Sequence, residues 1–110
     1  MKDRSVYIST ALECTDLIRA CTKGYQLADF LADRKTQDAV IRNLEIIGQA
    51  LKDYGIEPLI QENPEIPWRQ ITAMRNILAH EYLGVDSTLV WETVKTQLPV
   101  LAQALKKITR

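Results

Sequence analysis

The sequence contains few residues that break regular secondary structure, with 4 glycines and 4 prolines among 110 residues. A protein built from sheets needs many turns, so this scarcity favours a small number of long elements. Alanine, leucine, glutamate, glutamine, lysine and arginine are prominent, and all of them favour helices. The composition therefore predicts an all-α fold. The length is typical of a single domain, which we expect to cover residues 1–110.

Long apolar runs are missing as well. Nowhere do about 20 apolar residues follow one another, as a membrane-spanning helix requires. The N-terminal stretch MKDRSVYISTALE carries charges where a secretory signal has its apolar segment. We therefore expect a cytoplasmic protein without a membrane segment.

Charge of one sign is not in excess, because 14 basic and 14 acidic residues give a formal net charge of zero. No strong overall field attracts nucleic acid to such a surface. Any nucleic-acid activity has to come from a local patch.

Cysteine is scarce, and Cys14 and Cys21 are the two in the chain. Their spacing on one helix places the Cα atoms roughly 10 Å apart, whereas a disulfide requires about 7 Å or less. No second cysteine pair or neighbouring histidine completes a metal site. We expect two reduced thiols with a structural role.

Apolar residues recur at helical spacing through most of the chain. The first predicted helix runs from Ser5 to about Cys21, and its apolar positions are Val6, Ile8, Leu12, Leu17 and Ile18. After Gly24 the apolar face resumes, so the helix either continues or restarts before a break at residues 33–35.

The second predicted helix has Thr36 as its N-cap and Asp38 in its first turn, and Gly55 ends it at a C-cap position. Its apolar stripe consists of Ala39, Val40, Leu44, Ile47, Ala50 and Leu51. Prolines and polar residues predict that segment 56–67 is a connection with little regular structure.

A third helix is expected to begin at Pro67, a residue suited to the first helical position, and to lead to a break at Gly84. Asp86 or Ser87 caps a final helix whose apolar pattern continues beyond Pro99, so we expect a kink there rather than a stop. Four or five helices with short connections predict an up-and-down bundle. Such bundles often bury a remaining apolar face by dimerising, and we expect a homodimer.

Residues 75–82, RNILAHEY, include the single histidine of the chain, His80. Each residue turns by about 100° on a helix, so Asn76 and His80 share a face, whereas Arg75 lies roughly 140° away from His80. Arg75 and His80 converge only if His80 lies at a helix end or in the turn before Gly84, or if a neighbouring subunit supplies one of them.

These residue types suit the cleavage of RNA without a metal or cofactor. Arginine presents a fixed fork of donors to phosphate oxygens, and histidine, with an unperturbed pKa near ~6.5, gives or takes a proton in neutral solution. The imidazole removes the 2′-hydroxyl proton, that oxygen attacks phosphorus, and arginine stabilises the developing charge. One histidine cannot be base and acid at the same moment, so a second subunit's copy of His80, or else Tyr82, Glu81 or water, protonates the leaving oxygen. A lone histidine at a helix end is more commonly a cap, and spacing by itself leaves both interpretations open.

RNILAHEY matches the R-x4-H-x-Y motif of the HEPN superfamily, and its surroundings resemble the HepT-like toxins of that superfamily. The resemblance extends to RNLEIIGQALK (42–52), NPEIPWRQITAMRNILAHEYLGVD (63–86) and LVWETVKTQLPVL (89–101). The motif alone is moderately specific, and its combination with the upstream IPW and the tryptophan-containing final helix is far more so.

The resemblance implies a dimeric HEPN-like bundle that cuts RNA as the toxin of a type II/VII-like toxin–antitoxin pair. The catalytic residues of the family fall on Arg75, Asn76 and His80. The family's tyrosine falls on Tyr82, to which a minimal nucleotidyltransferase antitoxin (MntA-like) transfers AMP from ATP. Bulky, anionic AMP two residues from His80 would block the cleft and repel an RNA phosphate. The alternative is a non-catalytic helical module that docks a nucleotidyltransferase.

Three other charged residues have no firm assignment. Arg42 and Arg69 either guide RNA or are plain surface charges, and Glu45 lies in a family-like neighbourhood without assigned chemistry. No base-reading pattern identifies an RNA target.

Overall fold

The computed structural model describes residues 4–69 and 86–108, and every regular element within these ranges is an α-helix. The six helices found there are α1 (Ser5–Cys21), α2 (Leu27–Leu31), α3 (Arg34–Tyr54), α4 (Ile56–Glu62), α5 (Ser87–Thr96) and α6 (Leu98–Ile108). The predicted all-α class is confirmed. The described ranges already hold more helices than expected, because 56–67 is partly helical and the final helix is divided.

Helix α1 has the predicted bounds but a different buried face. Its buried residues are Ile8, Ala11, Cys14, Thr15 and Ile18, whose spacings of three and four residues place them on one side of a helix. Val6 and Leu17 were expected on this face, yet each is 49% exposed. Both lie on the opposite side at about 100° per residue, so that part of the prediction is wrong.

Helix α3 begins two residues before the predicted N-cap. Asp33, and not Thr36, is the N-cap residue, since its carboxylate accepts a 3.0 Å hydrogen bond from the backbone N–H of Thr36. The far end is as predicted, because Gly55 follows the last helical residue with a φ of 114°, in the region that favours glycine.

The prediction of little regular structure between 56 and 67 is wrong, because α4 occupies Ile56–Glu62. Pro58 lies in its first turn, where backbone N–H groups have no partner within the helix, so the missing N–H costs little. Leu59 is fully buried, at 0% exposure, which favours the helix further through burial of apolar surface. Helical residues resume at Trp68, one position after Pro67.

As predicted, Asp86 caps the next helix and Pro99 does not end the helical run. Helix α5 ends at Thr96 and α6 begins at Leu98, with Gln97 between them in a right-handed helical conformation (φ −92°, ψ −36°). Helical hydrogen bonds continue across this residue, from Leu101 N–H to the Gln97 carbonyl at 3.0 Å.

The core lies where α1 packs along α3 and contacts α6, while α2 contacts both α3 and α5. The largest fully buried apolar side chains are Trp68, Phe30, Ile8, Ile18, Ile47, Leu51, Leu59, Leu98, Leu105 and Val40. Full burial of a side chain of this kind stabilises the fold by roughly 1.5–3 kcal/mol.

The two cysteines are free thiols on α1, as predicted, with Cys14 buried and Cys21 partly exposed. The Cys21 Sγ–H donates to the Leu17 carbonyl at 3.0 Å. None of the described helices is long and apolar enough to cross a bilayer.

Candidate functional site

The residues predicted to carry the chemistry lie in segment 70–85, outside the described residues: Arg75, Asn76, His80, Glu81 and Tyr82. Their convergence remains a prediction. We call segment 70–85 the motif segment. The structure describes the residues on both sides of this segment. On each side, hydrogen bonds hold the chain in place.

On the N-terminal side, Trp68 is the anchor. Its side chain is 1% exposed, and its indole N–H donates a 2.8 Å hydrogen bond to the backbone carbonyl of Asn63. The same carbonyl accepts from the N–H of Ile66 at 3.2 Å, and the Trp68 N–H donates to the Ile66 carbonyl at 2.8 Å. The turn after α4 therefore holds the chain firmly where it enters the motif segment.

Arg42 and Arg69, whose roles the sequence leaves undecided, each form an ion pair with a glutamate. Arg69 forms a 2.6 Å ion pair with Glu57, and both side chains are about 70% exposed. Arg42 lies 3.6 Å from Glu45 on α3, where the Glu45 side chain is 21% exposed. Exposed pairs of this kind contribute at most about 1 kcal/mol. Pairs this weak leave both interpretations of Arg42 and Arg69 open.

On the C-terminal side, Asp86 directly follows the motif segment. Its carboxylate accepts from the N–H groups of Thr88 at 3.0 Å and Leu89 at 3.4 Å. These are two of the donors that the start of a helix leaves unpaired, so the cap fixes the point at which α5 begins.

Gln37, from the first turn of α3, joins this start of α5 to the end of α2. Its Oε1 accepts a 3.1 Å hydrogen bond from the Ser87 hydroxyl. Its Nε2 donates to the carbonyls of Phe30 at 2.8 Å and Leu31 at 3.1 Å. One side chain therefore connects three helices at the place where the chain leaves the motif segment.

An aromatic contact supports the same junction. The rings of Phe30 on α2 and Trp91 on α5 lie 5.2 Å apart between centroids, with an interplanar angle of 35°. Phe30 is 0% exposed and Trp91 is 8% exposed. Ring pairs at this distance contribute about 0.5–1.5 kcal/mol beyond the area that they bury.

The clearly displaced pKa values among the described residues have structural causes. Hydrogen bonds from Tyr25 and Thr36 lower the pKa of Asp33 to about 2. The hydrogen bond to Asp33 raises the pKa of the Tyr25 phenol. Burial, and then the charge of Glu13, raise the pKa of the Cys14 thiol. Each shift follows from folding contacts, so none of them indicates a separate catalytic group.

Within residues 4–69 and 86–108, no group of three or more His, Cys, Asp or Glu side chains is placed to hold a metal ion. The contacts that the sequence analysis missed are those of Gln37. A glutamine in the first turn of a helix carries no distinctive pattern, and its partner Ser87 lies 50 positions away.

An all-α bundle combined with an R-x4-H-x-Y motif defines a HEPN-type protein. The family model described as "Ribonuclease HepT-like" matches residues 11–108, which include the whole motif segment and both of its anchors. The chain therefore belongs to the HepT-like ribonuclease family.

Several curated proteins are similar over nearly the whole chain. The chain is 42% identical to a Thermococcus cleftensis protein named "Probable ribonuclease HepT", over 94% of each sequence. It is 34% identical to a "Putative RNase" of Caldanaerobacter subterraneus, over 98% of this chain and 96% of the relative.

A Methanocaldococcus jannaschii protein named "Gamma-glutamylcyclotransferase and putative RNase" is also 42% identical to the chain, over 97% of this chain. The chain spans about half of that relative, 48% of its length. No solved structure matches significantly.

Proposed function

We propose that this protein is a metal-independent endoribonuclease that acts as the toxin of a toxin–antitoxin pair. The observation that carries the proposal is the complete R-x4-H-x-Y motif at residues 75–82, within a match to the HepT-like ribonuclease family over residues 11–108. Relatives that share 34–42% of their residues with this chain are named as ribonucleases.

In the proposed reaction, the imidazole of His80 accepts the proton of an RNA 2′-hydroxyl. The 2′-oxygen attacks the adjacent phosphorus, the bond from phosphorus to the 5′-oxygen breaks, and that oxygen leaves with a proton as a 5′-hydroxyl. The other product ends in a 2′,3′-cyclic phosphate. Arg75 binds the phosphoryl oxygens and stabilises the charge that develops on them, and Asn76 orients His80 or a phosphate oxygen.

The proton for the leaving oxygen is the reason to propose a homodimer. His80 is the single histidine of the chain, and one imidazole cannot remove a proton and donate another at the same moment. A dimer with two motif segments facing one cleft supplies a second imidazole. It also brings two copies of Arg75 together, which provides local positive charge on a chain whose formal net charge is zero. If the cleft holds one motif, then Tyr82, Glu81 or water is the acid.

The proposed antitoxin is a minimal nucleotidyltransferase that transfers AMP to the Tyr82 hydroxyl. The tyrosine oxygen attacks the α-phosphorus of ATP, and pyrophosphate leaves. The attached AMP is anionic and lies two residues from His80, so it repels an RNA phosphate and occupies the space that the phosphate needs.

The test is RNA cleavage in excess EDTA, with total RNA and DNA of equal length as substrates. We expect unmodified wild-type protein to cut RNA and leave DNA intact, because DNA lacks the 2′-hydroxyl. His80→Ala and Arg75→Ala should abolish cutting while circular dichroism and gel filtration remain those of the wild type. The matched control is Arg19→Ala, at an exposed arginine of α1, which should cut RNA normally.

Each result decides between the proposal and its alternative. Cleavage that requires an added divalent ion contradicts metal independence. An absence of cleavage by verified unmodified dimer, together with a tight complex with a nucleotidyltransferase, favours the non-catalytic docking module. Growth arrest of cells that express the wild type, but not of cells that express His80→Ala, supports the proposal that the protein is a toxin.

A further inference from the structure

The side chain of Gln37 is fully engaged, and its orientation follows from its partners. A primary amide has two N–H donors at one end and an acceptor oxygen at the other. Both donors are directed to carbonyl oxygens, those of Phe30 and Leu31, so the oxygen has to face the hydroxyl of Ser87. Reversing the amide would place oxygen against two carbonyl oxygens. The geometry therefore admits one orientation of the group.

The carbonyls of Phe30 and Leu31 lie at the C-terminal end of α2, and that of Phe30 also accepts from the Asp33 N–H at 3.2 Å. Because Gln37 donates to both carbonyls, its position is tied to α2 as well as to α3. Phe30 in turn packs its ring against Trp91 of α5. The amide of Gln37 is thus held by hydrogen bonds to α2, and its oxygen accepts from the hydroxyl of Ser87.

Ser87 is the first residue of α5 and lies five positions after Tyr82 and seven after His80 in the sequence. The hydrogen bond from Ser87 to Gln37 fixes the chain directly after the motif segment. Trp68 fixes it directly before that segment, through the carbonyl of Asn63. A segment held at both ends has fewer conformations available than one held at one end.

We propose that Gln37 is a positioning residue for the proposed catalytic histidine: through Ser87 it fixes the chain directly after the motif segment, seven positions from His80. The polar atoms of its side chain are engaged within the protein, so the proposed role requires no contact with substrate. The effect on catalysis rests on the proposed ribonuclease function, whereas the effect on His80 does not. Misplacement of a catalytic group by about 1 Å costs up to roughly 100-fold in rate, so a loss of about 10- to 100-fold in kcat is expected when the link is broken.

The single histidine makes the test direct, because the imidazole protons of His80 give one set of NMR resonances per chain. Their chemical shifts and pH titration are recorded for the wild type, Gln37→Ala, Ser87→Ala and the double variant. RNA cleavage by each protein gives kcat and KM. We expect both single variants to displace the His80 resonances and to lower kcat with little change in KM. The double variant should lose no more kcat than the more affected single variant, because both substitutions remove the same hydrogen bond.

Two further variants separate positioning from a loss of general stability. Ser87→Thr keeps a hydroxyl at the same position, so the His80 resonances and kcat of this variant should equal those of the wild type. Gln49→Ala removes an exposed glutamine from the same helix, whose side chain bonds to Asp53 at 2.9 Å. This control should match the wild type in both measurements.

The inference is overturned if Gln37→Ala leaves the His80 resonances unchanged. It is also overturned if Ser87→Ala is silent while Gln37→Ala is not, since Gln37 would then act solely by capping α2. If the wild type cuts no RNA, the proposed function fails, and the NMR comparison still decides whether Gln37 positions His80.

Discussion

The hydroxyl of Tyr25 donates a 2.6 Å hydrogen bond to the carboxylate of Asp33, the residue that caps α3. The same carboxylate accepts from the backbone N–H of Thr36 at 3.0 Å and from its hydroxyl at 2.7 Å. Three donors therefore converge on one anion at the junction of α2 and α3. Gln37 is the next residue after Thr36, so this cap also fixes the first turn of α3 from which Gln37 extends.

The Asp33 cap predicts a pH dependence of stability. The pKa of Asp33 is lowered from 3.8 to about 2, so the folded state favours the ionised carboxylate. The contribution of this group to stability is then fully present above about pH 4, and it is lost as the pH falls from 4 towards 2. Asp33→Asn should remove this part of the pH dependence, as measured by urea unfolding at a series of pH values.

Tyr25→Phe provides the intermediate case. It deletes the largest cause of the pKa shift and leaves both donors of Thr36, so it should flatten the profile between pH 2 and 4 less than Asp33→Asn does. Parallel profiles for the wild type and Asp33→Asn would contradict the assignment. Loss of the Tyr25 proton at high pH should also weaken this junction, because the tyrosinate repels the carboxylate.

Gly55 joins α3 to α4 in a conformation that other residues rarely adopt. Its φ is 114°, and a Cβ added there would lie 3.4 Å from Pro58 Cδ and 3.5 Å from Arg4 Nη2. Arg4 itself donates to the Tyr54 carbonyl at 2.6 Å. Both distances to the added methyl are ordinary contacts, so the cost of a side chain at this position comes from the backbone conformation. Gly55→Ala should lower the free energy of unfolding by about 1–3 kcal/mol.

Gly24→Ala is the matched comparison for Gly55→Ala. Gly24 also has a positive φ, 78°, but nothing lies within 4 Å of an added Cβ. Urea unfolding should show a smaller loss at Gly24, since its φ lies nearer to the left-handed helical region, which residues other than glycine can adopt. An equal or larger loss at Gly24 would contradict the assignment of the loss at Gly55 to its φ of 114°.

The buried indole of Trp68 should contribute to stability through both its N–H and its size. Trp68→Phe keeps a buried aromatic side chain but removes the donor to the Asn63 carbonyl and part of the buried ring, so we expect a loss of about 1–3 kcal/mol on chemical unfolding. Asn63→Ala keeps the accepting carbonyl in place and should cost less. A loss for Trp68→Phe no larger than that for Asn63→Ala would contradict the role of the indole as the anchor of this turn.

Sequence reasoning located the helices well where periodicity and caps agree, and it failed where two signals compete. Asp33 and Thr36 are both suitable caps, and they are separated by the spacing at which a cap bonds to the third helical residue, so composition could not choose between them. In segment 56–67 the prolines concealed α4, because Pro58 lies in the one turn of a helix that tolerates it. On α1, Val6 and Leu17 are apolar but exposed. The number of apolar residues in a helix does not show which of them are buried.

The candidate site is a prediction of a different kind. Arg75, His80 and Tyr82 are recognisable by their spacing and by the family that shares it, without any knowledge of the fold. The contacts that hold the ends of the motif segment are not, because Ser87 and Gln37 come together through the packing of α2 between α3 and α5. A link of this kind depends on tertiary structure and leaves no local sequence signal.

The role proposed for Tyr82 predicts a specific covalent change. Wild-type protein co-expressed with a minimal nucleotidyltransferase from the same genome, in the presence of ATP, should gain the mass of one adenylyl group and lose RNA cleavage. Tyr82→Phe lacks the acceptor oxygen, so its mass should stay unchanged. Intact-mass spectrometry gives the modification, and the ratio of cleavage with and without the nucleotidyltransferase gives the inhibition for each variant separately.

Tyr7→Phe is the control, because it removes a phenol hydroxyl on α1 and leaves Tyr82 intact. It should be modified and inhibited as the wild type is. Modification of Tyr82→Phe would place the acceptor on another residue. Inhibition of the wild type without any gain in mass would mean that the nucleotidyltransferase acts by binding, since a bound partner can cover the cleft without forming a bond to Tyr82.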